Sequence, residues 1–164
     1  MVILGRGASG KSTLAEELGA LTDLPVVHLD DIFWSDSLEP MRSEAWSAAQ
    51  DELVRRRAWI AEGDLGPYDV LDVRLRAADT VVLLDFSLPR CAWRAIRRSR
   101  ERGDFWHWLW SYRRRWRPRI LSAVQAVAPR TEVHILRTPR AVRRFLAIVA
   151  LRRDGAHAPP EAAP

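Results

Sequence analysis

Residues 5–12 of the chain read Gly5-Arg6-Gly7-Ala8-Ser9-Gly10-Lys11-Ser12. Glycines at this spacing let the backbone turn sharply, so that successive N–H groups can surround an anion. The apolar residues 2–4 predict a buried strand before this loop, and leucines at helical spacing follow it. The pattern G-x-x-x-x-G-K-S in this context predicts a phosphate-binding P-loop. Its ligand contacts are expected from Gly5, Gly7, Ala8, Ser9, Gly10, Lys11, Ser12 and Thr13.

Lys11 is the only lysine in the chain, although lysine and arginine together number 26. Arginine can replace lysine at most solvated positions, but not where a compact ammonium group must fit between phosphate oxygens. The exception therefore indicates that Lys11 is chemically constrained, and we expect it to be catalytic. Ser12 is the expected ligand of a Mg²⁺ ion.

The composition indicates a single domain of 164 residues that favours anionic ligands, with a net charge of +5. Cys91 is the only cysteine, which excludes an intramolecular disulfide and favours a reducing cytoplasm. No segment resembles a signal peptide or a membrane span. Residues 154–164 are rich in proline and alanine, so we expect a kinase-like domain over 1–153 followed by a disordered tail.

Strand and helix signals alternate along the chain. The expected strands are 2–4, 25–29, 58–61, 80–84 and 131–136, and the expected helices are 11–20, 43–57, 69–76, 89–100, 104–117 with a short continuation to 126, and 139–150. Pro118 is expected to end the helix before it. Short apolar strands between helices predict an α/β fold with a five-stranded parallel sheet covered on both faces.

Ligands of such sheets bind at the carboxyl ends of the strands, where this sequence carries polar residues. Asp30 is the candidate Mg²⁺ ligand or proton acceptor, although Asp30 and Asp31 could simply form a turn. Glu62 is the candidate acceptor contact, and Asp85 is either a metal contact or structural. The strand-end residues are Asp30, Asp31, Glu62, Asp64, Asp85 and Arg137, and His28, near the end of the second strand, is expected to be a core histidine.

Two arginine-rich helices offer further phosphate contacts. In the first, Arg90, Arg94 and Arg97 share one face, which could bind phosphate or be a solvated basic surface. In the second, Trp106, Leu109, Trp110 and Trp116 predict an inward apolar stripe that includes Arg113 and Arg117. A charge on an inward face needs a partner, so we expect Arg113 to contact a phosphate, with cation–π stacking as the alternative.

The motifs together resemble one family. Their order is GRGASGKST (5–13), LPVVHLDDIFW (24–34), RRAWIAEGD (56–64), RLRAADTVVLLD (74–85), RCAWRAIRRS (90–99), RRRWRPRIL (113–121) and HILRTPRAVRRFL (134–146). This series looks like the adenylate-kinase-related P-loop proteins known as topology modulation proteins. The resemblance implies a three-layer P-loop NTPase fold like that of the nucleoside monophosphate kinases. It also implies ATP at the P-loop and an acceptor site over the second and third strands.

The resemblance also favours particular arginines. It implies Arg94 and Arg98 on the first arginine-rich helix, and it matches Arg74 to a family arginine. The segment that begins at Arg137 is similar to the loop whose backbone touches the adenine ring. Arg42, which lies between Asp31 and the next helix, is with Arg74 a candidate for an acceptor phosphate.

The chain departs from the family at two points. Residues 62–65 read EGDL where the family has DGNY, and residues 102–104 stand where the family has a longer, arginine-bearing lid. Lid closure excludes water and brings arginines onto the transferred group, so a short join predicts weakened phosphotransfer.

The sequence therefore predicts an enzyme that passes a phosphoryl group from Mg·ATP to a small acceptor, such as a nucleotide or another phosphate-bearing molecule. The alternative is an ATP-binding regulator that binds nucleic acid without kinase turnover. Arg113, Arg114 and Arg115 beside tryptophans could serve that role, because single-strand binders combine cations with stacking surfaces.

Overall fold

The fold is known from a computed structural model that describes residues 1–34, 39–98, 103–127 and 130–156. Its centre is a sheet of five parallel strands in the order β2-β3-β1-β4-β5. The strands are β1 (Val2–Gly5), β2 (Val26–His28), β3 (Ile60–Glu62), β4 (Thr80–Leu84) and β5 (Glu132–Leu136). The predicted α/β class and the five-stranded parallel sheet are confirmed.

Helices cover both faces of the sheet. They are α1 (Lys11–Thr22), α2 (Leu29–Phe33), α3 (Ser43–Arg55), α4 (Leu71–Ala77), α5 (Leu88–Arg98), α6 (Gly103–Val127) and α7 (Pro139–Ala156), with a 3₁₀ turn at Gly66–Tyr68. Alternate residues of β1 serve the two layers, because successive strand side chains point to opposite faces. Val2 and Leu4 join the core formed with α3, α4 and α6, whereas Ile3 joins the core formed with α1 and α7.

The central strand explains why the P-loop has a fixed position. Val2, Ile3 and Leu4 are fully buried, and β1 pairs with β3 on one side and with β4 on the other. A strand buried on both faces is built from continuous apolar residues, as the sequence indicated. The loop that follows it therefore begins at the middle of the sheet, between the ends of its two neighbours.

The structure corrects one helix end. Pro118 lies inside α6, which runs unbroken from Gly103 to Val127 instead of ending at residue 117. Proline lacks an N–H group, so it removes one hydrogen bond within the helix. Tyr112 before it and Ile120 and Val124 after it are buried in the same core, which compensates for that loss.

Three other expectations concern regions at the edge of the described chain. Asp30 and Asp31 lie in the first turn of the short helix α2. Helix α7 extends to Ala156, three residues into the segment expected as a tail, and residues 157–164 lie outside the described residues. Residues 99–102, which hold most of the short join after α5, also lie outside them. No helix in the described part of the chain has the length and apolarity needed to cross a membrane.

Candidate active site

The P-loop has the backbone geometry that its glycines predict. Gly5 has φ +147° and Gly10 has φ +99°, both in a region that favours glycine, and Ala8 has φ +56°. A Cβ atom at Gly5 would lie 2.7 Å from the Leu84 carbonyl oxygen, so the backbone of Gly5 packs directly against β4 where the loop begins. Gly10 caps helix α1, whose first N–H groups therefore face the loop and form an anion site.

Lys11 spans the loop. Its Nζ atom donates a hydrogen bond to the Gly5 carbonyl oxygen at 3.0 Å and lies 6.0 Å from the centre of the Trp108 ring. Its charge also lowers the pKa of two carboxyl groups, Asp30 and Asp64, against the effect of their burial. Lys11 therefore lies between the phosphate-binding backbone and the acidic ends of two strands.

Side chains from α5 and α6 cover the P-loop. A Cβ atom at Gly7 would lie 2.5 Å from ring atoms of both Phe105 and Trp108, and one at Gly10 would lie 3.2 Å from a guanidinium nitrogen of Arg94. The structure thus brings Arg94, expected from the sequence, to the loop. Phe105 and Trp108 were not expected there, because the predicted inward stripe of this helix did not include them.

The inward face of α6 agrees with the predicted one in part. Leu109 is buried and Trp106 and Trp116 pack partly buried against the core, as predicted, whereas Trp110 is 73% exposed and Tyr112 is buried instead. Arg113 is exposed as well and is not enclosed among tryptophans, so burial gives it no need for a phosphate partner. Nearly every residue from 105 to 110 is aromatic or apolar, so hydrophobicity alone could not define the phase of the helix.

The ends of β2 and β3 carry a chain of acidic groups joined by His28. The two ring nitrogens of His28 are each 2.7 Å from a carboxylate oxygen, Nδ1 from Glu62 and Nε2 from Glu16. Glu62 is buried, and its hydrogen bond is the main cause of the raised pKa of His28. His28 is thus a half-buried bridge between strand β3 and helix α1, and not the core histidine expected.

Asp30 and Asp31 lie at the same edge of the sheet, and both are exposed. Although the residue as a whole is exposed, protein atoms around its carboxyl group keep water from it, and this desolvation is the largest cause of the raised pKa of Asp30. The charge of Lys11 lowers that pKa, and the charge of Glu62 raises it. The structure therefore brings Asp30, Glu62 and Lys11 together, as the strand ends predicted.

Asp64 is the acidic group that the sequence named but assigned no role. Its Oδ1 atom accepts a hydrogen bond from the Gly66 N–H at 3.2 Å, while its Oδ2 atom is buried and has no partner among the described residues. Burial raises the pKa of Asp64 to about 6, with Lys11 lowering it and Asp69 raising it. Lys11 therefore acts electrostatically on this buried carboxyl group.

Two polar groups on α6 are buried beside Asp64. The indole N–H of Trp108 is unpaired within the described part of the chain, whereas the hydroxyl of Tyr112 lies within reach of the Asp64 carboxyl group. The two rings have centres 5.6 Å apart, and Nε1 of Trp108 lies 3.2 Å from the point where a Cβ atom of Gly66 would be. Burial and the neighbouring Asp64 and Asp85 raise the pKa of Tyr112. Asp64, Trp108 and Tyr112 therefore bring buried polar groups close together beside the P-loop.

A cavity of about 400 Å³ adjoins this region. It lies between the segment after β3 and helix α6. Its walls are Asp64, Gly66, Asp69, Val70, Leu71, Asp72, Trp116, Arg119, Ile120 and Ala123. Asp64 is therefore part of the cavity wall and is also within electrostatic reach of Lys11.

Arg74 is not free to contact an acceptor phosphate. Its guanidinium group is completely buried, donates to both carboxylate oxygens of Asp69 at 2.7 and 2.8 Å, and also bonds Gln50. These partners tie α4 to α3 and to the segment after the 3₁₀ turn. The prediction that Arg74 binds an acceptor phosphate is therefore corrected to a structural role.

The carboxylate of Asp85 pairs with two arginines, Arg117 and Arg137. The Asp85 Oδ2 atom is 3.0 Å from Nε of Arg117 and 3.5 Å from Nε of Arg137. Asp85 is thus held by cations, which agrees with its structural alternative, and the side chain of Arg137 is directed to a carboxylate.

Of the remaining predicted arginines, Arg42, Arg90 and Arg97 are exposed. Arg42 precedes α3 and is exposed, and Arg98 ends α5 with its side chain outside the described part of the structure. Arg90 and Arg97 lie over the rings of Phe86 and Trp93, at 5.3 and 4.4 Å from the ring centres.

Arg6 was missed by the sequence reasoning, because the variable positions of the motif carry no expectation. It is 3% exposed, lies 5.4 Å from the centre of the Tyr112 ring, and donates to the Phe86 carbonyl oxygen at 3.5 Å. Burial lowers its pKa. Arg6 therefore attaches the P-loop to α6 and to the segment after β4.

Comparisons with known proteins agree with this geometry. No family model matches the chain, and no curated protein matches it. Among solved structures, a sugar kinase from Janibacter sp. HTCC2649 is 18% identical with a TM-score of 0.54, over 93% of this chain and 90% of the other. A gluconokinase from Sinorhizobium meliloti 1021 is 18% identical with a TM-score of 0.53, over 95% of each chain. A shikimate kinase from Bacteroides thetaiotaomicron is 13% identical with a TM-score of 0.52, over 93% of this chain and 96% of the other. At such identities the likeness concerns the fold, and together with the P-loop and the parallel sheet it shows that this chain has the P-loop NTPase fold.

Proposed function

We propose that the chain is a phosphotransferase that moves the γ-phosphoryl group of Mg·ATP to a small-molecule acceptor. The observation that carries the proposal is the position of Lys11, which bonds the P-loop backbone and acts on the carboxyl groups of Asp30 and Asp64. Phosphoryl transfer depends mainly on positioning and on electrostatic stabilisation, which a lysine between a phosphate loop and strand-end carboxylates can supply. The three neighbours above are kinases by name, which supports the same reaction class.

The residues of the loop fit a nucleotide phosphate chain. Backbone N–H groups at the start of α1 face the loop, and Arg94 lies over Gly10 as a second cation. Lys11 and Arg94 would stabilise the charge of the transferred group. Preference for ATP over GTP, and adenine contact by the backbone near Arg137, follow only from the resemblance to topology modulation proteins.

The site also fits Mg²⁺. Ser12 is exposed in the first turn of α1, and Asp30 is within electrostatic reach of Lys11. The part of the chain that the structure describes contains no cluster of three His, Cys, Asp or Glu side chains that could hold a metal by itself. Mg²⁺ in kinases is usually held by one or two protein oxygens together with substrate phosphates, as Ser12 and Asp30 would allow. When bound, the ion neutralises charge on the phosphates.

The aromatic cover of the P-loop offers a way to exclude water despite the short join after α5. Phe105 and Trp108 already pack on Gly7, where the family would use a longer lid. Removal of water strengthens electrostatic interactions inside the site. Asp31, Arg42 and Glu62 remain candidate contacts on the acceptor side.

The test is transfer of label from γ-labelled ATP with Mg²⁺ to a panel of small hydroxyl compounds. We expect Lys11→Ala to lower transfer by about 100-fold or more, because one charge-stabilising group typically contributes that much. Glu17→Ala, exposed on the same helix, is the matched control and should retain activity. Equal transfer by the wild type and by Lys11→Ala would refute the proposal.

A nucleic-acid-binding regulator is the second candidate. Trp110 is 73% exposed on α6, and Arg113, Arg114 and Arg115 are exposed beyond it. Exposed aromatic and basic side chains together suit single-stranded nucleic acid. Retention of single-stranded DNA that weakens steeply with salt and is lost in Trp110→Ala would support this role, whereas a salt-independent affinity would oppose it.

A further inference from the structure

Three buried polar groups beside the P-loop have unused hydrogen-bonding capacity. They are Oδ2 of Asp64, the indole N–H of Trp108 and the hydroxyl of Tyr112; the hydroxyl lies within reach of the Asp64 carboxyl group, and the indole N–H has no partner within the described residues. An unpaired buried polar group costs about 1–3 kcal/mol, and native proteins contain few of them. Their presence at one place indicates that a polar molecule completes their bonds. A hydroxyl compound suits all three, because a hydroxyl both donates and accepts, whereas a carboxylate or phosphate offers Asp64 only acceptors.

The adjoining cavity has the size and the walls of a small-molecule site. Its volume of about 400 Å³ lies in the range of such sites, which are mostly apolar with a few polar groups at fixed positions. Val70, Leu71, Trp116 and Ile120 supply apolar walls, and Asp64 supplies the polar end nearest Lys11.

The charges around the cavity disfavour an anionic ligand at that end. Two of the three carboxylates in the wall have arginine partners: Asp69 is 2.7 Å from Arg74, and Asp72 is 3.9 Å from Arg76. The third, Asp64, has no paired arginine among the residues described. Arg119 is the single basic side chain among the described wall residues. It is exposed and lies 5.2 Å from the centre of the Trp116 ring, on the cavity wall that α6 forms.

We propose that this cavity binds the phosphoryl acceptor, and that the acceptor is an uncharged or cationic polyhydroxy compound whose reacting hydroxyl donates its hydrogen bond to Asp64. The inference rests on the proposed phosphotransferase function and names the substrate class of that site. It replaces the phosphate-bearing acceptor that the sequence favoured, because the arginine expected to bind such a phosphate is already paired inside the core.

The chemical step is balanced by groups that the site and the nucleotide supply. The acceptor oxygen forms a bond to the γ-phosphorus, and the bond from that phosphorus to the β–γ bridging oxygen breaks, releasing ADP. The hydroxyl proton moves to Oδ2 of Asp64. Lys11 bonds the P-loop backbone and acts on the Asp64 carboxyl group, so it would stabilise the carboxylate before transfer and the phosphate charge during it.

The test uses two readouts on the full chain: the melting temperature without nucleotide, and label transfer from γ-labelled ATP with Mg²⁺. The probes are a hexitol, an amino sugar, the phosphate esters of both, a sugar acid and a nucleoside monophosphate. The key variant is Ala123→Phe, which fills the cavity from α6. Its matched control is Ala126→Phe, exposed on the same helix and outside the cavity wall.

We expect the hexitol or the amino sugar to raise the melting temperature and to accept label at least about tenfold better than its phosphate ester, because like charges brought together oppose binding. Ala123→Phe should lose both effects while still binding ATP, and Ala126→Phe should keep them. Asp64→Asn retains the shape and the Gly66 bond, so it should keep binding and lose transfer, with a fall in kcat larger than any rise in KM.

Each adverse result has a distinct meaning. The acceptor assignment would be overturned if only the anionic probes raised the melting temperature and accepted label. It would also be overturned if the neutral probes still did so with Ala123→Phe. Lys11-dependent ATP binding with no response to any neutral or cationic probe would also overturn it, while leaving the nucleotide site intact. Absence of Lys11-dependent ATP binding would instead remove the proposed function, and the melting temperature would still report on the cavity.

Discussion

Replacement of Asp64 by asparagine should stabilise the fold at neutral pH although it removes a group assigned to the reaction. Burial raises the pKa of Asp64 from 3.8 to about 6, so between these values the folded protein binds a proton that the unfolded chain has released. The contribution of Asp64 to the free energy of unfolding is therefore complete below pH about 4 and is lost as the pH rises through about 6. A difference of about two pKa units corresponds to about 3 kcal/mol.

Several charged and titratable groups that act on Asp64 contribute to this value. Lys11 from α1 and Arg74 from α4 lower the pKa, Asp69 raises it, and Tyr112 of α6 lies beside it. Asparagine has no charge to bury and keeps the amide oxygen that accepts the Gly66 N–H. The variant should therefore match the wild type at pH 4 and exceed its free energy of unfolding by up to about 3 kcal/mol at pH 7.5.

The assay is urea unfolding followed by tryptophan fluorescence at pH values from 4 to 7.5. Asp51→Asn, at an exposed position on α3, is the control and should not reproduce the pH-dependent gain. A constant difference between Asp64→Asn and the wild type across this pH range would refute the reasoning, because a buried ionisable group must produce a pH-dependent one.

Three further predictions concern other residues. Arg74→Met should cost about 3–5 kcal/mol of stability, measured by urea unfolding, because it leaves Asp69 buried without its partner; a loss below 1 kcal/mol would contradict the structural role. Asp85→Asn should leave the Mg²⁺ concentration for half-maximal transfer unchanged, because the Asp85 carboxylate is held by Arg117. A large increase in that concentration would indicate that Asp85 is a metal ligand. Gly7→Ala should lower the melting temperature at a cost of about 1–3 kcal/mol, because its Cβ would overlap aromatic rings of α6; an unchanged value would show that those rings do not pack there.

Local patterns were sufficient for the sheet and for the phosphate loop. Strand β4 was predicted at the residues where it occurs, since five consecutive residues with strand preference lie between turns. The P-loop was predicted from its glycines, whose positive φ angles at Gly5 and Gly10 no other residue adopts as easily. These features depend on neighbours in the sequence, which a single chain displays directly.

Features set by distant contacts could not be obtained in this way. The partner of Arg74 on α3, Gln50, is 24 residues away, so no local pattern indicated that the arginine lies inside the core. The run of aromatic residues at the start of α6 fits several helix phases, and only the position of Gly7 selects the one that places Trp108 over the loop. Asp64 looked like a minor polar residue after a strand because its burial depends on Tyr112 and on α6.

The solitary lysine gives this molecule an intrinsic chemical reporter. Because Lys11 carries the only side-chain primary amine in these 164 residues, reagents that acylate lysine can modify a single side chain, inside the nucleotide loop. The fraction of Lys11 that becomes labelled then measures how often Nζ is free of the Gly5 carbonyl and of any bound phosphate. Peptide mass spectrometry, which separates label on Lys11 from label on the α-amino group of Met1, would read the occupancy of the loop before and after exposure to a nucleotide.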